Sequence, residues 1–217
     1  IYDGNADAVI LTRTLNGVIS PDVVTLIGGT ATFSDKDAAN GKTVTFNMTG
    51  ASLSGAQAGN YSLTSVGTTT ANITALGITG NFTADNKIYD GNADAVILTR
   101  TLNGVISPDA VTLTGGTATF DNKNVGTGKT VTLTGATLSG DDAGNYNLAT
   151  MNTTTADITT FDVTGSFLAD NKIYDSNNSA VVTTDSRSVA VVFAGDDLSL
   201  TGGTATFDNK NVGTGKT

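Results

Sequence analysis

Cysteine, histidine, tryptophan and glutamate are all absent from this 217-residue chain, and proline occurs only 2 times. Without cysteine there are no disulfides and no thiolate metal sites. Without histidine as well, Ser-His and Cys-His nucleophile pairs, imidazole general bases and most zinc sites cannot be assembled. Aromatic residues make up 6% of the chain, so the exposed aromatic platforms of carbohydrate sites are scarce. Basic residues number 11 against 20 acidic ones, all aspartate, giving a net charge of −9 and a pI of about 4.2. That balance repels nucleic acid and anionic lipid and argues against nucleic acid as a partner. No apolar run approaches the ~20 residues of a membrane span. No leader peptide is visible, and the chain opens in mid-pattern at Ile1, so the natural N-terminus is expected upstream.

What the chain does contain is threonine, glycine and asparagine, set out in a long repeat. Residues 1–22 recur unchanged at 88–109, and residues 114–130 recur unchanged at 201–217. The signature Ile-Tyr-Asp begins at Ile1, Ile88 and Ile173, spacings of 87 and 85 residues. The segment Thr-Ala-Thr-Phe ends at Phe33, Phe120 and Phe207, spaced 87 and 87. Both length differences between repeats are of two residues. One lies where VTFNMTG (44–50) stands for VTLTG (131–135), the other between Tyr174 and Thr204. A two-residue change keeps each strand side chain on its own face, whereas a one-residue change flips it. The chain therefore divides into repeat 1 (1–75, first strand missing), repeat 2 (76–160, complete) and repeat 3 (161–217, later part missing).

The complete repeat predicts about seven short strands: near 76–82 with 87–90 continuing it or turning, then 95–99, 111–114, 117–120, 129–134, 145–149 and 155–159. Threonine and β-branched residues favour strands, and Gly, Asn and Asp punctuate them. Gly115-Gly116, between two such runs, predicts a tight hairpin. A helical turn is expected only around 139–144. Seven strands in ~85 residues suit a small β-sandwich, so the expected fold is all-β, with tandem Ig-like sandwich domains in an elongated array. β-grasp-like units are the alternative. The segment joining repeats, 160–167, alternates apolar and polar residues and predicts one strand running from repeat to repeat, hence a semi-rigid rod.

All five tyrosines fall in two motifs. Tyr2, Tyr89 and Tyr174 sit in the Tyr-Asp signature, and Tyr61 and Tyr146 in Ala-Gly-Asn-Tyr. The second motif, with Gly144, Asn145 and Tyr146, is similar to the tyrosine corner of immunoglobulin-like domains, where a hydroxyl ties down a preceding loop. Tyr89, Asp90, Gly144, Asn145 and Tyr146 are read as structural-motif residues, since a buried Tyr seeks a hydrogen-bond partner.

The words Lys-Ile-Tyr-Asp-Gly (87–91), Leu-Ser-Gly-Asp-Asp-Ala-Gly-Asn-Tyr-Asn-Leu (138–148) and Thr-Ala-Asp-Ile-Thr (155–159) resemble the YDG and MBG-type repeats of large bacterial surface adhesins and filamentous-haemagglutinin-like exoproteins. The resemblance covers essentially the whole chain. It departs at Ser176, where the Gly of the signature should stand. It implies export, an extracellular or cell-surface location, and a stalk or matrix role, with no catalytic activity.

Two chemical readings fail on spacing. Gly-Lys-Thr at 41–43, 128–130 and 215–217 invites a phosphate loop, but the glycine needed five residues earlier is Lys36, Lys123 and Lys210. Asp141-Asp142 and Asp196-Asp197 are paired carboxylates, yet adjacent turn residues serve solvation and turn hydrogen bonds. No catalytic or cofactor-binding residue emerges. Calcium is the one cofactor reading, with Asp85, Asp90, Asp170 and Asp175 as hard oxygen ligands near the junctions, although their spacing does not fit the calcium loop. The expected function is a structural stalk or fibre-forming segment, with glycan or mucin binding as the alternative. The expected partners are neighbouring repeats, identical chains in a filament, and a host or matrix glycan.

Overall fold

The computed structural model describes residues 1–217: strands, turns and two short 3-10 segments, Ala58–Asn60 and Ala143–Asn145, with no α-helix. The first repeat holds β1 (Asp7–Ala8), β2 (Thr25–Ile27), β3 (Thr30–Phe33), β4 (Ala39–Asn47), β5 (Ser52–Ser54) and β6 (Thr69–Ile73). The second holds β7 (Leu76–Ala84), β8 (Lys87–Ile88), β9 (Asp94–Ala95), β10 (Ile97–Asn103), β11 (Thr112–Phe120), β12 (Gly126–Ser139), β13 (Tyr146–Met151) and β14 (Thr154–Thr159). The third holds β15 (Gly165–Ser166), β16 (Ser179–Ala180), β17 (Ser188–Val189) and β18 (Ala205–Thr206). Burial follows the two-residue period of a strand: in β7, Ile78, Gly80 and Phe82 are buried and their neighbours are not.

Contacts divide the chain into two compact units that are out of phase with the repeats. One comprises Ile1–Thr83, Ile97–Ala118 and Thr132–Thr154; the other comprises Ala84–Val96, Thr119–Val131 and Thr155–Thr217. The first carries the sheets β1-β3-β4-β6, β2-β5 and β10-β7-β13. Within it β13 runs parallel to β7, pairing Tyr146 with Leu76 and Leu148 with Ile78. Its core gathers Tyr2, Ile73, Ile78 and Tyr146, with Phe33, Leu76, Val105 and Ile106 packed around them. The second unit carries the pairings of the sheet β8-β14-β12-β11-β9 and the small pairs β15-β17 and β16-β18. Phe120, Val131 and Ile158 are buried there.

Two expectations are corrected. Gly115-Gly116 is not a hairpin turn: β11 runs straight through it. Both glycines have positive φ, and a Cβ on Gly116 would come within 2.7 Å of Leu133 Cδ1 and 2.9 Å of the Thr134 carbonyl oxygen. The glycine is there because β12 passes close, not because the chain reverses. Nor does one strand run from repeat to repeat. β14 ends at Thr159 and β15 begins only at Gly165 in another sheet, and likewise β6 and β7 are separated by Thr74-Ala75 and belong to different sheets, the Thr74 carbonyl accepting the Tyr2 N–H at 2.7 Å. The expected helical turn shrinks to Ala143–Asn145.

The two-residue insertion in the first repeat behaves as strand parity requires. It breaks one long strand, β12 in the second repeat, into β4 and β5, with a turn closed by the Ala51 N–H on the Met48 carbonyl at 2.9 Å. On either side the faces are kept: Val44 and Val131 are buried, and Leu53 and Leu138 are half-buried.

Gly140 ends β12 at φ +119, and an added Cβ would lie 2.3 Å from the Ala110 carbonyl oxygen. Gly55 repeats this, with φ +119 and 2.3 Å to the Val23 carbonyl oxygen. Gly128, at φ +60, faces open space. In urea unfolding, Gly140→Ala should cost about 2 kcal/mol or more and Gly128→Ala about 1 kcal/mol. Equal midpoint shifts for the two would remove close backbone approach as the reason for Gly140.

Candidate functional site: the tyrosine–aspartate junction

Three turns of the same build present one aspartate each. The N–H of Asp22, Asp109 and Asp196 donates to the carbonyl three residues back, of Ile19, Ile106 and Phe193, at 2.8, 2.9 and 3.0 Å. In the second repeat, the 3-10 turn Ala143–Asn145 delivers Tyr146 to this loop. The Tyr146 hydroxyl accepts the Ile106 N–H at 3.1 Å and donates to Asp109 Oδ2 at 2.6 Å. The first repeat does the same: Tyr61 accepts from Ile19 at 3.1 Å and donates to Asp22 Oδ2 at 2.8 Å. The change of Asp142 to Gln57 between repeats is conservative in function. Each offers a side-chain oxygen to the N–H after the turn aspartate, of Ala110 at 2.8 Å and Val23 at 3.3 Å.

The first repeat then reaches into this corner of the second. The Tyr2 hydroxyl donates to Asp109 Oδ2 at 2.6 Å. Lys36 Nζ donates to Asp109 Oδ1 at 2.9 Å and to the Tyr2 hydroxyl at 2.8 Å, and lies 3.6 Å from Asp142. The rings of Tyr2 and Tyr146 meet edge to face at 5.4 Å. The Asp109 side chain is only 3% exposed. A carboxylate so removed from water is tolerable only when donors and a counter-charge surround it. Here two phenols and one ammonium do so, drawn from both repeats. The Tyr146 and Tyr2 hydroxyls and the Lys36 ammonium pull the Asp109 carboxyl down to about 2. Burial, reinforced by the Asp109 charge, pushes the Tyr146 phenol up to about 12. Hydrogen bonds to Tyr2 and Asp109 raise Lys36.

The arrangement recurs 87 residues on. Tyr89 donates to Asp196 at 2.6 Å, Lys123 pairs with the same carboxylate, and Lys123 stands 5.8 Å above the Tyr89 ring. The Lys123 ammonium first, then the Tyr89 hydroxyl, lowers Asp196. The glycine of the signature is explained by the next repeat. A Cβ on Gly4 would meet Ile106 Cγ2 at 3.2 Å, and one on Gly91 would meet Phe193 Cβ at 2.8 Å. Ser176, at the third such position, keeps the positive φ of +72.

Of the residues singled out from sequence, the structure brings Tyr89, Asn145 and Tyr146 into these junctions. Asn145 is buried, accepts the Ala38 N–H at 2.7 Å and donates to Asp37 at 3.2 Å. Gly144 has neither a positive φ nor a close neighbour, and nothing in the structure requires glycine there. The calcium candidates do not converge, since no group of three or more acidic side chains is placed to hold a metal. Asp90 and Asp175 instead pair with Lys87 and Lys172, each at 2.7 Å, and Asp170 accepts the Thr183 hydroxyl at 2.7 Å. The Asp85 N–H donates to the Val96 carbonyl.

Sequence reasoning missed Lys36, Lys123, Asp109 and Asp196 as members of the site. The signal was present: Lys and Asp recur at 87-residue spacing, and the lysines were noticed only as residues that spoil a phosphate loop. The junction is built of hydrogen bonds and ion pairing among side chains that meet one another.

Compared with known proteins, the chain matches a family model described as the YDG domain three times in succession, over residues 1–71, 74–156 and 159–217. No curated protein and no solved structure matches it.

The shifts set the pH window of the junction. Asp109 is more acidic folded than in an unfolded chain (~3.9), so its contribution is complete above pH ~4 and lost as pH falls toward about 2. Tyr146 is less acidic folded than unfolded (~10), so its contribution is complete below pH ~10 and lost as pH rises toward about 12. Thermal midpoints recorded against pH should therefore form a plateau with a fall at each end. A midpoint unchanged between pH 4 and 2 would rule out Asp109 as a charged anchor.

Proposed function

The chain belongs to the YDG domain family, and on that premise we propose that it is a structural repeat segment, a stalk or fibre-forming array in a secreted or cell-surface bacterial protein, rather than an enzyme. The observation that carries the reading is the junction. A polar constellation that recurs joins consecutive repeats, and its parts are a carboxylate, phenols and an ammonium that bind each other. Such a device resists separation of neighbours and offers no open coordination to a substrate. No helix is long and apolar enough to cross a membrane.

Each repeat, taken as 1–75, 76–160 and 161–217, is in this reading a small Ig-like sandwich. The support is local: β7 and β13 pair in one sheet, while the next strands along the chain, β8 and β14, pair in another. A β-grasp-like unit is the alternative. The natural partners are the neighbouring repeats, with adhesion or extracellular matrix as the setting.

Glycan or mucin binding is the second function. Tyr2 and Tyr146 are buried, and Tyr89 is spent on Asp196, which leaves few aromatic faces for a sugar. Two measurements separate the readings. Pulling on the full chain by single-molecule force spectroscopy should show a resolved unfolding event that weakens on Asp109→Asn, while a glycan array shows no binder. Specific glycan capture with a force trace indifferent to Asp109 would instead favour a binding module.

A further inference from the structure

Tension on a tandem array enters each repeat at its first strands and leaves at its last, so the pairing of those strands decides how the repeat takes load. In the complete second repeat the first two strands are β7 and β8 and the last two are β13 and β14. β7 and β13 pair in parallel, with Tyr146 beside Leu76, Leu148 beside Ile78 and Met151 beside Gly80. β8 and β14 keep the same sense, with Ile158 beside Lys87 and Thr159 beside Ile88. Parallel strands have their N-terminal ends side by side. The chain therefore enters β7 at one end of the ladder and leaves β13 at the other. A pull along the chain slides the two strands past each other and loads every cross-strand bond together. Antiparallel first and last strands would put entry and exit at the same end, and the ladder would open one bond at a time.

Further bonds extend both ladders. Just past β13, the Asn152 N–H donates to the Gly80 carbonyl at 3.0 Å and its Nδ2 donates to Asn81 Oδ1 at 2.8 Å. At the start of β13, the Tyr146 hydroxyl is tied to Asp109, so the strand is held at both ends. Beside β8, the Asp157 N–H donates to Asn86 Oδ1 at 2.7 Å and the Tyr89 N–H to the Thr159 carbonyl at 2.8 Å. The first repeat repeats the last of these, Tyr2 N–H to Thr74 carbonyl at 2.7 Å, so its opening and closing segments also lie side by side. Ile78 and Tyr146 are buried, which keeps water from replacing the ladder bonds as they stretch.

We propose that the repeat is a load-bearing element whose resistance lies in a shear clamp, the parallel pair of β7 with β13. It withstands tension applied along the chain and yields to tension applied across the pair. The proposal deepens the structural role proposed above and rests on it for the source of the load. Mechanical strength is here distinct from unfolding free energy, because forced unfolding reads the barrier along the pulled direction. A repeat of ordinary stability is then strong in one direction and weak in another.

The test pulls the same strand pair in the full chain from two directions. The chain has no cysteine, so two added thiols fix the points of attachment. Thr74, Gly144 and Thr153 are exposed and lie just outside β7 and β13. Thr74→Cys with Thr153→Cys draws the N-terminal end of β7 against the C-terminal end of β13. Thr74→Cys with Gly144→Cys draws the two adjacent N-terminal ends apart. At one pulling speed the first variant should unfold at a several-fold higher force than the second. Thermal midpoints of the two, read without load, should agree. Equal forces, or a higher force for the second variant, would overturn the clamp. Should Gly144→Cys fail to fold, Asp141→Cys, also exposed and also ahead of β13, applies the same load. The Asp109→Asn comparison above judges the structural role on its own, so clamp and stalk fail separately.

Discussion

Asp109 is a carboxylate almost wholly withdrawn from water, and the first compact unit is arranged around meeting its demand for donors. An ionised group in such a place is expensive unless its oxygens are filled. Its own repeat supplies only one phenol, Tyr146. The second phenol and the neutralising ammonium, Tyr2 and Lys36, come from the preceding repeat, 107 and 73 residues away in sequence. Without the preceding repeat this charge would keep one phenol, Tyr146, and lose the second phenol and the ammonium. The carboxylate shell of Asp109 is therefore completed by two repeats, and the residues that complete it lie in one compact unit.

Several smaller features follow from that one constraint. The signature needs glycine after Tyr-Asp because the turn carrying the next aspartate packs Ile106 or Phe193 against it. The Asn of Ala-Gly-Asn-Tyr is buried because it bonds to Asp37 and Ala38 of the previous repeat. Residues that look like scattered turn formers are thus tied to a single contact.

Much of the fold was legible because it rests on local rules. Threonine and valine alternation marks β4 and β12, and the parity of the two-residue insertion matches the faces kept by Val44 and Leu53. The tyrosine corner was legible because Tyr146 reaches a loop of its own repeat. The junction was not, for a reason peculiar to repeats. When Tyr2 and Tyr89 are identical, as are Asp22 and Asp109, periodicity cannot say whether a tyrosine meets the aspartate 20 residues on or the one 107 residues on. Gly115-Gly116 misled in a similar way, since close approach and chain reversal demand the same residue and only the position of β12 decides between them.

The central claim is that Tyr2 and Asp109 act together across repeats, and a double-mutant cycle addresses it directly. Unfolding free energies of the native chain, Tyr2→Phe, Asp109→Asn and the double variant complete the cycle. Direct bonding predicts a clear shortfall from additivity, the double variant losing less than the sum of the singles, because the second change removes a partner already lost. Additivity within error would mean that the two residues stabilise their repeats separately, and would contradict the account.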